Sequence, residues 1–229
     1  VYKIFGPGNQ YVTAAKQLVQ KDGVAIDMPA GPSEVCVMAD DTAVPAFVAA
    51  DLLSQAEHGA DSQVLLLTTS EQLLQAAQQE LELQLNQLSR KELAAKALLN
   101  SKAVLLQHTA EMVALANAYA AEHLIISCAD APALAEQIVN AGSIFLGNYS
   151  PESVGDYASG TNHTLPTNGY ARAYSGVSLD SFVKKITVQQ LSPAGLHNLS
   201  ITVTTMAYAE GLDAHARAVE IRQQSIQNQ

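Results

Sequence analysis

The sequence predicts an α/β fold: a mainly parallel sheet with helices on both faces, followed by a C-terminal helical tail. Three observations predict it. Short β-rich runs alternate with helical patterns from Ile4 to Leu146. The run Val64-Leu65-Leu66-Leu67 is continuously apolar, as a strand covered on both faces must be. From Ser192 onward the pattern is helical only, in two segments joined near Gly211. Alternation of this kind describes a Rossmann-like arrangement.

The elements follow in order. Residues 2–5 are strand-like, Gly6-Pro7-Gly8-Asn9 form a turn, and Tyr11 to Val19 carry helical spacing through Val12, Ala15, Leu18 and Val19. Short β-rich runs at 24–26 and 35–38 flank the stiff loop Met28-Pro29-Ala30-Gly31-Pro32-Ser33. Pro45 suits the first turn of a helix ending at His58. A long helical region covers 71–99, and its Gln- and Glu-rich face reads as solvated. Strands at 103–106, 124–127 and 143–146 then alternate with helices at 110–120 and 131–140. Residues 147–180 break the rhythm, with five Gly, two Pro and four Tyr. A long irregular stretch with that mixture favours an ordered, site-forming loop.

At 229 residues the chain is long enough for one large or two ordinary cores. Its 48% hydrophobic and 15% charged residues read as globular. A net charge of −10 with 12 Lys+Arg argues against a nucleic-acid partner. No apolar run approaches membrane-spanning length. Cys36 and Cys128 lie in apolar strand-like runs and read as buried thiols, so a reducing, cytoplasmic compartment is expected. Asn-X-Ser/Thr triplets at Asn148, Asn162 and Asn198 carry little weight without a secretory signal. Val1-Tyr2-Lys3-Ile4-Phe5 reads as a strand already under way, and a piece of a longer chain is expected.

Acid and imidazole groups mark the ends of apolar elements: Glu57-His58, Glu122-His123, and Asp156 with His163. Gln55 and His58 stand at i and i+3 and share a helix face, a spacing that suits a metal. The plainer reading is a His serving a helix C-terminus with Gln55 as surface filler, and spacing alone favours it. Glu122-His123 can supply a general base and acid if the backbone there is irregular. In isolation, a helix-ending His is the commoner role. Gly155-Asp156-Tyr157-Ala158-Ser159-Gly160-Thr161-Asn162-His163 is the least ordinary segment, although an Asx-stabilised loop accounts for part of it. His108 and His197 read as surface or capping residues, and His215 looks ordinary. Gly6-Pro7-Gly8-Asn9 joins strand to helix where phosphate is often bound, but lacks G-x-G-x-x-G spacing.

Taken in order, IFGPGN, IDMPAGPSEV, DLLSQAEHG, AAEHLII and SVGDYASGTNHTLPT resemble histidinol dehydrogenase over essentially the whole chain. The resemblance implies oxidation of L-histidinol through L-histidinal to L-histidine with reduction of two NAD, the last steps of histidine biosynthesis. It places Gln55, His58, Asp156 and His215 on zinc ligands, His215 reaching across from the partner subunit of a homodimer. Glu122 and His123 fall on the acid–base pair. Ser33, His163 and Glu210 join His123 and the zinc ligands in binding substrate, and Asn9 contributes to the NAD site.

Members of that family are roughly twice this length, and the missing N-terminal part carries further NAD contacts. Residues 1–33 are therefore expected to end a Rossmann-like NAD-side unit, and 34–123 to form a second such unit. Residues 124–180 are expected to return to the first unit and form the site loop, with 181–229 a helical dimerisation tail. A non-catalytic metal- and substrate-binding fragment is the alternative, and a zinc hydrolase acting through Glu122 a third.

Overall fold

The computed structural model describes residues 1–227. It divides into two compact units, Val1–Val183 and Lys184–Gln229.

The first unit is built on a five-stranded parallel sheet, β5-β4-β3-β6-β7. Its strands are β3 (Glu34–Ala39), β4 (Gln63–Thr68), β5 (Lys102–Leu105), β6 (His123–Ser127) and β7 (Ser143–Leu146). Alternation along β3 divides the core. Val35, Val37 and Ala39 face one side with Val64 and Leu66, beneath residues of α2 (Pro45–Ala56), α3 (Glu71–Leu85) and α4 (Lys91–Leu99). Cys36 and Met38 face the other side with Leu65, Leu67, Leu124 and Ile126, beneath α5 (Thr109–Tyr119) and α6 (Ala131–Ala135). Both faces are covered, which is why these strands read as unbroken apolar runs. Cys36 and Cys128 are free thiols and buried.

Beside this sheet, β1 (Lys3–Ile4) and β2 (Ala25–Ile26) pair in parallel around α1 (Gln10–Val19). A buried ion pair, Lys16–Asp27, ties α1 to the residue after β2. Strands β6 and β7 pair on from β3, so this sheet extends past residue 123, where the second unit was expected to end.

Three local differences have physical causes. The 71–99 helical region breaks between Leu85 and Lys91, where Leu88 turns in to pack on the core. The helix expected over 131–140 stops at Ala135. Beyond it the Val139 and Asn140 N–H groups donate to Asn117 Oδ1, at 2.7 and 3.2 Å, instead of to helical carbonyls. Asp156, expected in a loop, lies on the short helix α7 (Glu152–Tyr157). The rest of 147–180 is ordered, with Thr164 to Thr167 buried.

The second unit is a helical hairpin of α8 (Pro193–Ala209) and α9 (Asp213–Gln227), turning at Gly211 with φ +69°. Ala207 and Ala216 are buried, and Tyr208 Oη donates to Glu220 Oε1 at 2.7 Å. Among the described residues, no helix is long and apolar enough to cross a membrane.

Candidate active site at the amino edge of the sheet

Strand order reverses beside β3: β4 lies on one side of it and β6 on the other. Doubly wound folds usually bind ligands at such a point, beyond the carboxyl ends of the strands. Here the polar groups gather at the opposite, amino edge. Ser33 precedes β3, Glu122 precedes β6, and His123 opens β6. Gln55 lies in the last turn of α2, and His58 lies in the turn after that helix, which stops at Ala56 and not at His58 as expected. A cleft of about 350 Å³ there is lined by Ser33, His58, Glu122, His123, Asp156 and His163, with Pro7 and Gly8 on its wall.

The backbone before β6 has the irregularity that two adjacent functional side chains require. Ala120 ends α5 in the left-handed conformation, with φ +58°. The Gly142 and Ser143 N–H groups then donate to the carbonyls of Ala121 and Glu122, each at 2.9 Å. A Cβ on Gly142 would lie 2.5 Å from the Glu122 carbonyl oxygen, so only glycine lets β7 approach this closely.

His123 is the hub, buried at 3% exposure. Its Nδ1 lies 3.3 Å from the Glu34 carbonyl oxygen and 3.7 Å from both Glu122 Oε2 and Glu152 Oε2. Gln55 Nε2 is the one donor nearby, at 3.2 Å. The Glu34 carbonyl can only accept, so it favours a proton on Nδ1, and the two carboxylates at 3.7 Å favour positive charge on the ring. Nε2 faces Asp156 Oδ1 at 3.6 Å and has no hydrogen-bond partner. That nitrogen is the one available to reacting groups.

Burial and charge set the ionisation of this cluster. Burial pushes Glu122 up to about 8, although the neighbouring His123 pulls the other way. Burial likewise lifts Glu34 to about 7 and raises Glu152. Asp51 rises to about 7, through burial and then the charge of Glu152. Burial disfavours the His123 cation, but Asp156, Glu122 and Glu152 outweigh it and raise His123 to about 9. The contact with His123 holds Asp156 below the usual carboxylate range. In the chain alone, His123 therefore carries a proton at neutral pH, where a neutral imidazole suits a base better.

The remaining expected residues divide. Ser33 Oγ lies 3.3 Å from His58 Nδ1, and His163 lines the cleft from its exposed loop. Asn9 caps α1, its Oδ1 accepting from the N–H groups of Tyr11 and Val12 at 3.1 and 3.2 Å. Glu210 and His215 belong to the second unit, both exposed, at the end of α8 and in α9. His108 opens α5, its N–H donating to Glu111 Oε2, and His197 bonds Gln223, as a surface residue would.

Among the described residues, no three of His, Cys, Asp and Glu gather as a metal cluster. His58 and Asp156 share the cleft, and Gln55, three residues before His58, keeps a buried Oε1 with no partner. This oxygen and nitrogen donor set suits zinc and is short of at least one ligand.

Sequence reasoning missed Glu34, Asp51 and Glu152. Glu34 had a signal, a lone acid opening the otherwise apolar run of β3. Glu152 follows Pro151 as an ordinary first-turn acid would, and nothing in the sequence distinguishes it.

The family model described as histidinol dehydrogenase matches residues 1–223. Histidinol dehydrogenase of Bacteroides fragilis is 63% identical over 226 residues, 99% of this chain and 53% of that protein. The chloroplastic histidinol dehydrogenase of Arabidopsis thaliana is 57% identical over 230 residues, 99% of this chain and 49% of its own length. The crystal structure of histidinol dehydrogenase from Elizabethkingia anophelis superposes with a TM-score of 0.95 at 60% identity, covering 99% of this chain and 52% of that one. The chain thus spans about half the length of the curated relatives it matches.

Proposed function

Since this chain belongs to the histidinol dehydrogenase family, we propose that it carries the acid–base and metal half of a zinc- and NAD-dependent oxidoreductase. The proposed reaction takes L-histidinol through L-histidinal to L-histidine and reduces two NAD. The observation that carries this reading is the buried His123, its Nδ1 enclosed by oxygens and its Nε2 left without a partner beside Glu122 and Asp156.

In each oxidation His123 Nε2 would accept the proton from the hydroxyl oxygen on the reacting carbon, and bound NAD would supply the acceptor for the hydride leaving that carbon. The Glu34 carbonyl keeps the ring oriented through Nδ1. That role requires His123 to shed the proton it holds in the chain alone. Asp156 is the largest of the contacts that raise His123, so its engagement as a ligand would weaken the support for the imidazolium. Glu122, buried beside it, would in its ionised form be the base that activates water against the aldehyde. Gln55, His58 and Asp156 would hold zinc, with His215 supplied by the partner subunit of a homodimer. Zinc there would clamp the substrate's imidazole and amino nitrogens in place. Ser33, His163 and Glu210 complete the substrate contacts, and Asn9 belongs to the NAD side.

The first test is zinc per chain by elemental analysis, before and after chelation. About one tightly held zinc per chain is expected for this ligand set. A folded protein that takes up no zinc on reconstitution overturns the metal assignment. Zinc and L-histidinol binding without NADH formation would favour the reading as a non-catalytic metal- and substrate-binding fragment.

A further inference from the structure

Gln55 is fully buried, yet only one end of its amide is satisfied. Nε2 donates to Glu152 Oε2 at 2.6 Å and lies 3.2 Å from His123 Nδ1, while Oε1 has no partner. Buried polar atoms are rarely left this way without a reason. Glu152 is itself 2% exposed, and its other oxygen is occupied by Ser54 Oγ at 2.6 Å. A side-chain amide can turn over and exchange its two ends, but a carboxylate oxygen engaged this way offers only lone pairs. With Glu152 ionised, the end of Gln55 that faces it is the nitrogen.

We propose that Glu152 is a positioning residue that locks the Gln55 amide nitrogen-inward, so that Gln55 keeps its oxygen unengaged. Its functional meaning rests on the metal reading above; its geometry does not. Ser54 anchors Glu152, Glu152 orients Gln55, and Gln55, three residues before His58 in the sequence, keeps Oε1 unengaged. Without the carboxylate, the amide loses its reason to prefer this orientation. A neutral amide at position 152 presents either a donor or an acceptor, so both amides can turn.

The test compares the 229-residue chain with Glu152→Gln and with the exchange that combines Gln55→Glu and Glu152→Gln. Zinc dissociation constants are measured by chelator competition, thermal midpoints alongside. In Glu152→Gln, zinc is expected to bind about 10- to 100-fold more weakly, as when outer partners of metal ligands are lost. The exchange should recover most of that affinity. In it the amide introduced at position 152 can donate to the carboxylate introduced at position 55, which keeps one oxygen free. Wild-type zinc affinity in Glu152→Gln overturns the proposal. So does a loss of affinity that the exchange fails to recover, because that marks a merely structural role. If the wild-type chain holds no zinc, the metal reading fails while the amide remains testable without metal. The Gln55 side-chain NH2 protons, followed by 15N-edited NMR, should be protected from exchange in the wild type and unprotected in Glu152→Gln. Equal exchange in both overturns the positioning role.

Discussion

At the scale of single residues, Glu122 and His123 line one pocket, and different tasks are proposed for them. Glu122 is buried and pushed up to about 8, while His123 is enclosed by carboxylates and raised to about 9. If Glu122 activates water for the second oxidation only, Glu122→Gln should spare much of the first. General-base removal commonly costs about 100-fold or more, and here that loss should fall on the aldehyde. NADH formation from L-histidinal should therefore drop far more than single-turnover NADH formation from L-histidinol. Equal losses in both would refute this division of labour. Residue types and spacing brought Glu122, His123 and His58 to notice, but not the tautomer of His123. The tautomer depends on Glu34, 89 residues away in sequence, whose carbonyl meets Nδ1 only after β3 and β6 pair.

At the scale of elements, the loop between β1 and α1 forms one wall of the cleft through Pro7 and Gly8, and it is held from behind. Asp27 Oδ2 accepts the Gly6 N–H at 2.8 Å, and Lys16 Nζ donates to the Gly6 carbonyl at 2.9 Å. The Lys16 and Asp27 side chains are only 5% and 0% exposed. Burial would raise Asp27, but Lys16 and the N–H groups of Gly6 and Met28 overcome it and hold Asp27 below the usual range. Asp27→Asn leaves the Lys16 ammonium buried without its counter-charge and should cost about 3 kcal/mol or more in denaturant unfolding at pH 7. Because the folded-state value is the lower one, the stability lent by Asp27 is present above about pH 4 and is lost as pH falls below it. The gap between wild type and Asp27→Asn should therefore narrow on acidification from about pH 5 to about pH 3. A gap that stays constant would show that ionisation of Asp27 contributes nothing. Periodicity located β1, α1 and β2 to within a residue or two of their ends, since each carries its own pattern. It gave no sign of the Lys16–Asp27 pair, because a Lys on a helix pattern reads as solvated until its neighbours are known.

At the scale of the whole molecule, the four proposed zinc ligands are divided between the two units in sequence. Gln55, His58 and Asp156 lie in Val1–Val183, and His215 lies in Lys184–Gln229. The alternating β/α pattern carried the parallel sheet openly, whereas grouping these four proposed ligands required the family resemblance. His215 sits in an exposed helix pattern with nothing local to mark it. The proposed homodimer makes a prediction that a ligand set drawn from one chain does not. His215→Ala and Gln55→Ala chains should each lose tight zinc binding. Co-refolded, they should form mixed dimers in which one site lacks both ligands and the other has the full set, if His215 crosses the interface. Mixed dimers isolated by two different affinity tags should then hold about one zinc per two chains. If His215 instead serves its own chain, every site in the mixed dimer lacks one ligand and zinc should stay at the single-variant level. Both variants have intact neighbours around the substitution, so circular dichroism and dimer content measured on the same samples separate a missing ligand from a missing fold.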